Sequence, residues 1–285
     1  EMDRSGLSLA LLLFVLGHLI VATRWWRLLV AAGCGTSWFQ CLRLTGLGLF
    51  FNIVMPGLMG GDLVKAVLVA REHPGHKANA LVSIAVDRLI GLAVMASMAA
   101  TAVLLVGATF AEIRTPLLAF LGALLIGLAV VLSRRLHKLL RLDKLLSRLP
   151  LAGILQRLDE AALVYSKCKR ELAIAACFSL GNSVVIVLGT IVLGRAFGDV
   201  LLTTASYFAV TPIANIVSAV PLAPGGWGTG EAAFGFLFNM LGASAAVGVA
   251  TSIAFRLCQT ALGLLSSIFL LFPNHPPLQP SEEPS

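Results

Sequence analysis

Five stretches of this chain are each long and apolar enough to cross a bilayer, and they limit its fold more than any other feature. A spanning helix needs about 20 mostly apolar residues. Residues 7–23, 78–107, 115–133, 172–194 and 244–272 are read as spans. Lipid offers no hydrogen bonds, so such segments must satisfy their own backbone groups as helices. Charged residues make up 12% of the chain, about half the share of a soluble domain. That is too few to cover a water-facing surface. A soluble enzyme, a nucleic-acid-binding domain and a disordered chain are excluded on this ground. The first run ends on Arg24-Trp25-Trp26-Arg27, a Trp/Arg cluster suited to a membrane interface.

Two further apolar stretches are broken at their centres. Residues 42–55 run to Pro56 and the sequence PGLMGGD, then continue to Ala70. Residues 203–220 run to Pro221 and PLAPGGWGTGE, with Pro224 inside, then continue over 231–241. Pro lacks an N–H and Gly permits strained angles, so a helix stops at each break. Each half is too short to cross. The pattern predicts two re-entrant helical hairpins, with Asn52, Pro56, Asn215, Pro221 and Pro224 at the breaks.

Charge sets the orientation. Residues 134–171 hold ten of the chain's Lys and Arg against four acids, net +6 of its +7. The excess of positive charge in cytoplasmic loops places this block inside. Arg71, His73, His76 and Lys77 then fall on the same side. Leucines recur near a helical period between the basic residues of 134–150, as in a segment lying along the interface.

The two breaks resemble each other. Both read P-x-x-x-G-G, as Pro56 with Gly60-Gly61 and Pro221 with Gly225-Gly226. Further on, SIAVDRL (Ser83 to Leu89) faces SIAFRL (Ser252 to Leu257), which aligns Arg88 with Arg256. The expected fold is an all-α polytopic membrane protein, an inverted-topology repeat of span, re-entrant helical hairpin and span. Residues 1–110 form the first membrane repeat, 111–133 a linking transmembrane helix and 134–171 a basic cytoplasmic amphipathic loop. Residues 172–272 form the second, inverted repeat and 273–285 a disordered tail. Inverted repeats with broken helices are typical of secondary transporters.

Six charges sit in or beside the apolar runs: Asp62, Lys65, Asp87, Arg88, Glu231 and Arg256. Each costs roughly 2.5–3.5 kcal/mol at a lipid-exposed helix centre, so they must pair, face water or bind something. Asp62 and Glu231 stand where a carboxylate answers the positive end of a half-helix; the alternative is a gating role. Arg88 and Arg256 are ion-pair partners or phosphate ligands. Gly60, Gly61, Gly225 and Gly226 break helices, or expose N–H groups to an anion. Asn52 and Asn215 cap freed carbonyls or line a polar path. The five cysteines are irregularly spaced and read as small buried hydrophobes. No metal, nucleotide or serine-nucleophile motif occurs, so no metal, cofactor or catalytic residue is expected.

Four segments carry a resemblance: RWWRLL (Arg24 to Leu29), FFNIVMPGLMGGD, DRLIG (Asp87 to Gly91) and PLAPGGWGTGE (Pro221 to Glu231). Together they resemble the lysylphosphatidylglycerol synthase transmembrane, or flippase-like, family of bacterial and archaeal membrane proteins. Lys65 stands where that family often has Arg. Members occur alone or fused to an aminoacyltransferase domain, and the membrane part is held to move lipid between leaflets. A further helix usually precedes the Arg-Trp segment, so one more N-terminal span is expected. The resemblance implies a translocase of the cell (inner) membrane, moving an anionic phospholipid or a polyprenyl-phosphate-linked lipid. It also implies a possible homodimer or a partner glycosyl or aminoacyl transferase. The alternatives are a small-molecule or ion secondary transporter, and an accessory subunit or enzyme of isoprenoid-linked glycolipid synthesis.

Overall fold

A computed structural model describes residues 4–54, 60–132, 160–219 and 227–271. Pro56, Pro221, Pro224, Gly225 and Gly226 lie outside the described residues, as do most of the basic segment and the tail. Among the described residues there is no strand. The long helices are α1 (Arg4–Ala31), α2 (Trp38–Val54), α3 (Gly60–Glu72), α4 (Lys77–Val106) and α5 (Ala111–Leu132), then α6 (Lys169–Ala196), α7 (Thr204–Ser218), α8 (Thr229–Met240) and α9 (Ala245–Leu265). Five helices are long and apolar enough to span: Ser5–Ala31, Lys77–Val106, Ala111–Val130, Lys169–Ala196 and Ala245–Leu271. These are the five runs read from the sequence, with shifted ends. The protein is an all-helical polytopic membrane protein.

The other four helices are α2, α3, α7 and α8, of 17, 13, 15 and 12 residues. At 1.5 Å per residue each is about 18–26 Å long, short of the ~30 Å hydrocarbon core. They pack in sequential pairs, α2 on α3 and α7 on α8. The α2–α3 contact is close because Gly48 and Gly61 face each other, and a Cβ on Gly61 would strike the Gly48 carbonyl oxygen.

Exchanging α1–α4 for α6–α9 maps the packing onto itself. Helix α1 packs on α6, while α4 packs on α7 as α9 packs on α2. Helices α1 and α6 run antiparallel, because contacts step down one as they step up the other. Arg27 meets Glu171, Arg24 meets Ser179, Gly17 faces Asn182 and Phe14 faces Gly189. Helices α2 and α9 are antiparallel by the same test, with Gly46 on Ser266 and Gly263 on Ile53.

Two apolar cores hold the bundle at its ends. One gathers Trp25, Leu28, Leu29 and Tyr165 with the beginnings of α2 and α4. The other gathers Phe110, Tyr207, Phe234 and Phe238 around α7 and α8. A small cluster of Phe14, Leu193, Cys258 and Leu262 lies between α1, α6 and α9. Outward faces are apolar too, with Leu105, Leu118, Ile126 and Leu264 exposed, as expected where the solvent is lipid. The α6–α7 turn closes on Asp199, which accepts from the Tyr207 hydroxyl and from the Leu201 and Leu202 N–H groups.

Candidate functional site

Each half carries one acid and one arginine at equivalent places. Asp62 is the third residue of α3 and Glu231 the third of α8; Arg88 is the twelfth of α4 and Arg256 the twelfth of α9. Arg88 Nη2 donates to Asp62 Oδ1 at 2.6 Å. Arg256 Nε lies 2.9 Å from Glu231 Oε1. The two pairs differ in access: the Arg88 side chain is 56% exposed and that of Arg256 11%.

The breaks are finished differently in the two halves. Asn52 Oδ1 accepts the Gly61 N–H at 2.8 Å. The asparagine therefore caps a freed N–H, where the sequence offered a capped carbonyl or a polar path. That bond and the Gly48 contact also correct the reading of Gly61 as an anion donor, since its N–H is already taken. Gly60 is buried beside it. In the second half Glu231 Oε2 accepts the Gly228 N–H at 2.6 Å, so this acid caps its own helix as well as pairing with arginine. A Cβ on Gly230 would collide with Arg256 and the Ser218 hydroxyl; glycine there makes room for the guanidinium. Arg256 Nη2 donates to Ser218 Oγ at 3.3 Å, and its guanidinium lies 5.8 Å from the Trp227 ring centre.

Asp87 does not pair with the arginines singled out beside it. Its carboxylate takes a two-pronged contact from Arg24, Nε to Oδ1 and Nη2 to Oδ2, both 2.7 Å. Arg24 Nη1 donates to Ser179 Oγ at 2.7 Å. One buried guanidinium thus ties α1, α4 and α6. This corrects the assignment of Arg24 to the interface: α1 continues to Ala31, which leaves Arg24 inside the bundle. Arg27 fits the interface better, bonding Glu171 through a half-exposed pair. Lys65 is buried with its Nζ 3.5 Å from the Trp25 ring centre.

Two cavities meet at this centre. The larger, of about 600 Å³, lies between the halves and is lined by Arg88, Asn215, Ser218, Trp227, Phe255 and Arg256 among others. The smaller, of about 230 Å³, is lined by His18, Asp62, Lys65, Asp87 and Asn182. Leu49, Asn52, Arg88 and Gln259 belong to both walls. The structure therefore gathers Asn52, Asp62, Lys65, Asp87, Arg88, Asn215 and Arg256 around one polar space, with Glu231 behind Arg256.

His18, Asn182, Ser218 and Gln259 line the same space without having been singled out from the sequence. Gln259 follows Arg256 by three positions, hence on the same helical face. His18 lies inside an apolar run, where a polar side chain is itself a signal. Cys34, Cys41 and Cys258 are buried, and burial raises the Cys34 thiol in the α1–α2 loop to about 11. Among the described residues no group of three or more His, Cys, Asp or Glu side chains is gathered for a metal.

Neither a curated protein nor a solved structure matches the chain. The sequence pattern described as the lysylphosphatidylglycerol synthase TM region matches residues 2–267. With that match over nearly its whole length, this multi-pass chain belongs to the lysylphosphatidylglycerol synthase transmembrane-region family.

Proposed function

We propose that the protein is a lipid translocase that carries a phosphate-bearing head group through the cavity between its halves while the acyl or prenyl tails stay in the bilayer. One observation carries this reading: Arg88 and Arg256, from equivalent positions of the two halves, line one cavity. Its other walls mix polar Asn215 and Ser218 with apolar Leu49, Trp227 and Phe255, which suits an amphipathic substrate.

The antiparallel run of α1 with α6 supports an inverted relation between the halves. Equivalent helices that run in opposite directions are related by an axis across the bundle, in the membrane plane. The α2–α3 and α7–α8 pairs are then re-entrant hairpins entering from opposite faces, and the 134–171 segment is cytoplasmic by its positive charge. A phosphate moving between leaflets meets Arg88 and Arg256 in turn. Guanidinium forks bind phosphate oxygens in two-pronged fashion. Asp62 and Glu231 hold the arginines when no phosphate is present, so binding exchanges one partner for another and the anion is not trapped.

Acyl-labelled lipid in proteoliposomes, followed by leaflet accessibility, tests the reading. Arg88→Ala and Arg256→Ala should each slow translocation about tenfold or more, because hydrogen bonds to a charged group are worth about 1.5–3 kcal/mol. Arg→Lys should rescue in part, since a point charge lacks the fork. The double variant Arg88→Ala/Asp62→Ala leaves no stranded carboxylate and should remain slow. Its recovery to the parent rate would make the pair structural and end the proposal.

A further inference from the structure

Three cations meet two acids at and behind the wall of the smaller cavity, and one cation is held differently from the others. Arg88 contacts Asp62 and Arg24 contacts Asp87, guanidinium to carboxylate. Lys65 makes no ion pair or hydrogen bond among the described residues. It is buried, and its Nζ lies over the Trp25 ring, 3.5 Å from the ring centre. A guanidinium stays charged, whereas an ammonium can give up its proton. Of the three cations, Lys65 alone can change its charge.

The cavity gives that proton a route. Its volume is about 230 Å³, room for about seven waters at ~30 Å³ each. The Asn182 and Gln259 carboxamides and the Thr45 hydroxyl line it with no hydrogen bond among the described residues. Buried polar groups of this kind are satisfied by water. Asn52, Arg88 and Gln259 belong to the walls of both cavities, so the polar lining continues into the larger one.

Asp62 connects Lys65 to the arginine. It precedes Lys65 by three positions in α3, hence on the same helical face, and both line the cavity. A phosphate that takes Arg88 deprives Asp62 of its partner, and an unpaired carboxylate away from water is costly. Lys65 can receive that carboxylate, but only when protonated. With Lys65 neutral, Asp62 stays on Arg88 and resists the phosphate.

We propose that Lys65 is a proton-binding site that links anion binding at Arg88 to the uptake of one proton. The inference rests on the exchange of partners in the translocase reading. One proton from bulk water adds to the Nζ lone pair as the phosphate replaces Asp62 on Arg88, and the ammonium donates to the freed carboxylate. When the phosphate leaves, Asp62 returns to Arg88 and the proton is released. The titratable and charged groups around Lys65 are Asp62 on its own helix, His18 and Arg24 on α1, Cys41 on α2, and Asp87 and Arg88 on α4. Helices α6 and α9 face the cavity with neutral Asn182 and Gln259.

Purified protein in detergent is titrated with dimethyl phosphate, a diester anion whose own charge is constant near and above neutral pH. Calorimetry in buffers of different ionisation enthalpy reads affinity and proton uptake together. The anion-bound form holds the proton more firmly, so affinity is full at low pH and falls as pH rises, by at most about tenfold per unit for one linked proton. The parent should lose at least about tenfold between about pH 7 and 10, with uptake approaching one proton per anion at the alkaline end. Lys65→Arg should bind equally well across that range and take up no proton, because its charge is fixed. Lys65→Met should bind as weakly at neutral pH as the parent does at the alkaline end. A Lys65→Arg profile that still falls with pH gives the proton to His18 or Cys41 and overturns the proposal. A flat parent profile, weak binding by Lys65→Arg or tight binding by Lys65→Met also overturns it, and each leaves translocation intact. Acyl-labelled phosphatidylglycerol in proteoliposomes separates the two readings. Lipid that crosses at no pH, with binding still linked to proton uptake, overturns the translocase reading and leaves the proton site. Absence of anion binding at every pH overturns the exchange at Arg88 and the proton site with it.

Discussion

The two halves share a charge pair and differ in what stands behind it. In the first half, Lys65 lies one helical turn after Asp62, and Asp87 immediately precedes Arg88. In the second half the corresponding residues are Phe234, three after Glu231, and Phe255, just before Arg256. Phe234 is 1% exposed and Phe255 packs edge-on to Phe14 with ring centres 5.1 Å apart. One half thus backs its pair with a second layer of charge, and the other with aromatic carbon. The difference tracks access: the charge-backed pair is open to the cavity and the aromatic-backed pair is largely covered. Desolvating an ion pair is costly, so the covered pair gains from extra contacts, which Glu231 finds at Gly228 and Arg256 at Ser218. A common framework can therefore hold two chemically unlike stations.

The sharpest way to break this comparison is to remove the charge layer. Asp87→Ala strands Arg24 inside the bundle and should destabilise the protein by about 3–5 kcal/mol, measured by unfolding in mixed micelles. Arg24→Leu/Asp87→Leu should recover most of that loss, since two apolar side chains can replace a buried pair. In the other half, Phe255→Leu should cost less than about 1.5 kcal/mol if its volume loss is absorbed. A Phe255 variant as damaging as Asp87→Ala would mean the two layers do not differ in kind.

A smaller effect separates the crossing point of α2 and α3 from the peripheral helix α5. Gly61→Ala drives a methyl into the Gly48 carbonyl and should cost about 1–3 kcal/mol by overpacking. Gly122→Ala meets nothing within 4 Å and should be neutral or gain up to about 1 kcal/mol from helix propensity. Thermal unfolding of the two variants side by side decides it, and equal losses would refute the close contact.

The smallest effect concerns the caps. Asn52→Ala removes the bond to the Gly61 N–H and should cost about 1 kcal/mol. Asn215 caps nothing among the described residues, where Glu231 serves α8, so Asn215→Ala should stay within about 0.5 kcal/mol. Hydrogen exchange at the first turns of α3 and α8 reads the same difference locally. Faster exchange in α8 on Asn215→Ala would show that the caps are equivalent after all.

Much of the site was legible because two stretches of the sequence share their spacing. Arg88 and Arg256 align through the SIAVDRL and SIAFRL segments, and each acid stands in the first turn of a half-helix. The partner of Asp87 was hidden. Arg24 ends a clean apolar window and abuts two Trp residues, the pattern of an interface, yet α1 continues seven residues further. Hydropathy counts side chains, whereas the helix is limited by where its backbone stops. The partner of Asn52 was hidden for a related reason: an amide can cap either end of a broken helix, and only the position of Gly61 decides which.

Apolar length and charge placement alone determined that this chain crosses a bilayer as helices, because lipid leaves the backbone no other partner. They also limited the charges in the apolar runs to pairing, facing water or binding. Which acid meets which base was a tertiary decision. Asp87 is adjacent to Arg88 in sequence but bonds Arg24, 63 residues away. Neighbouring residues on a helix point about 100° apart, so each turns to whatever another helix brings to its own face.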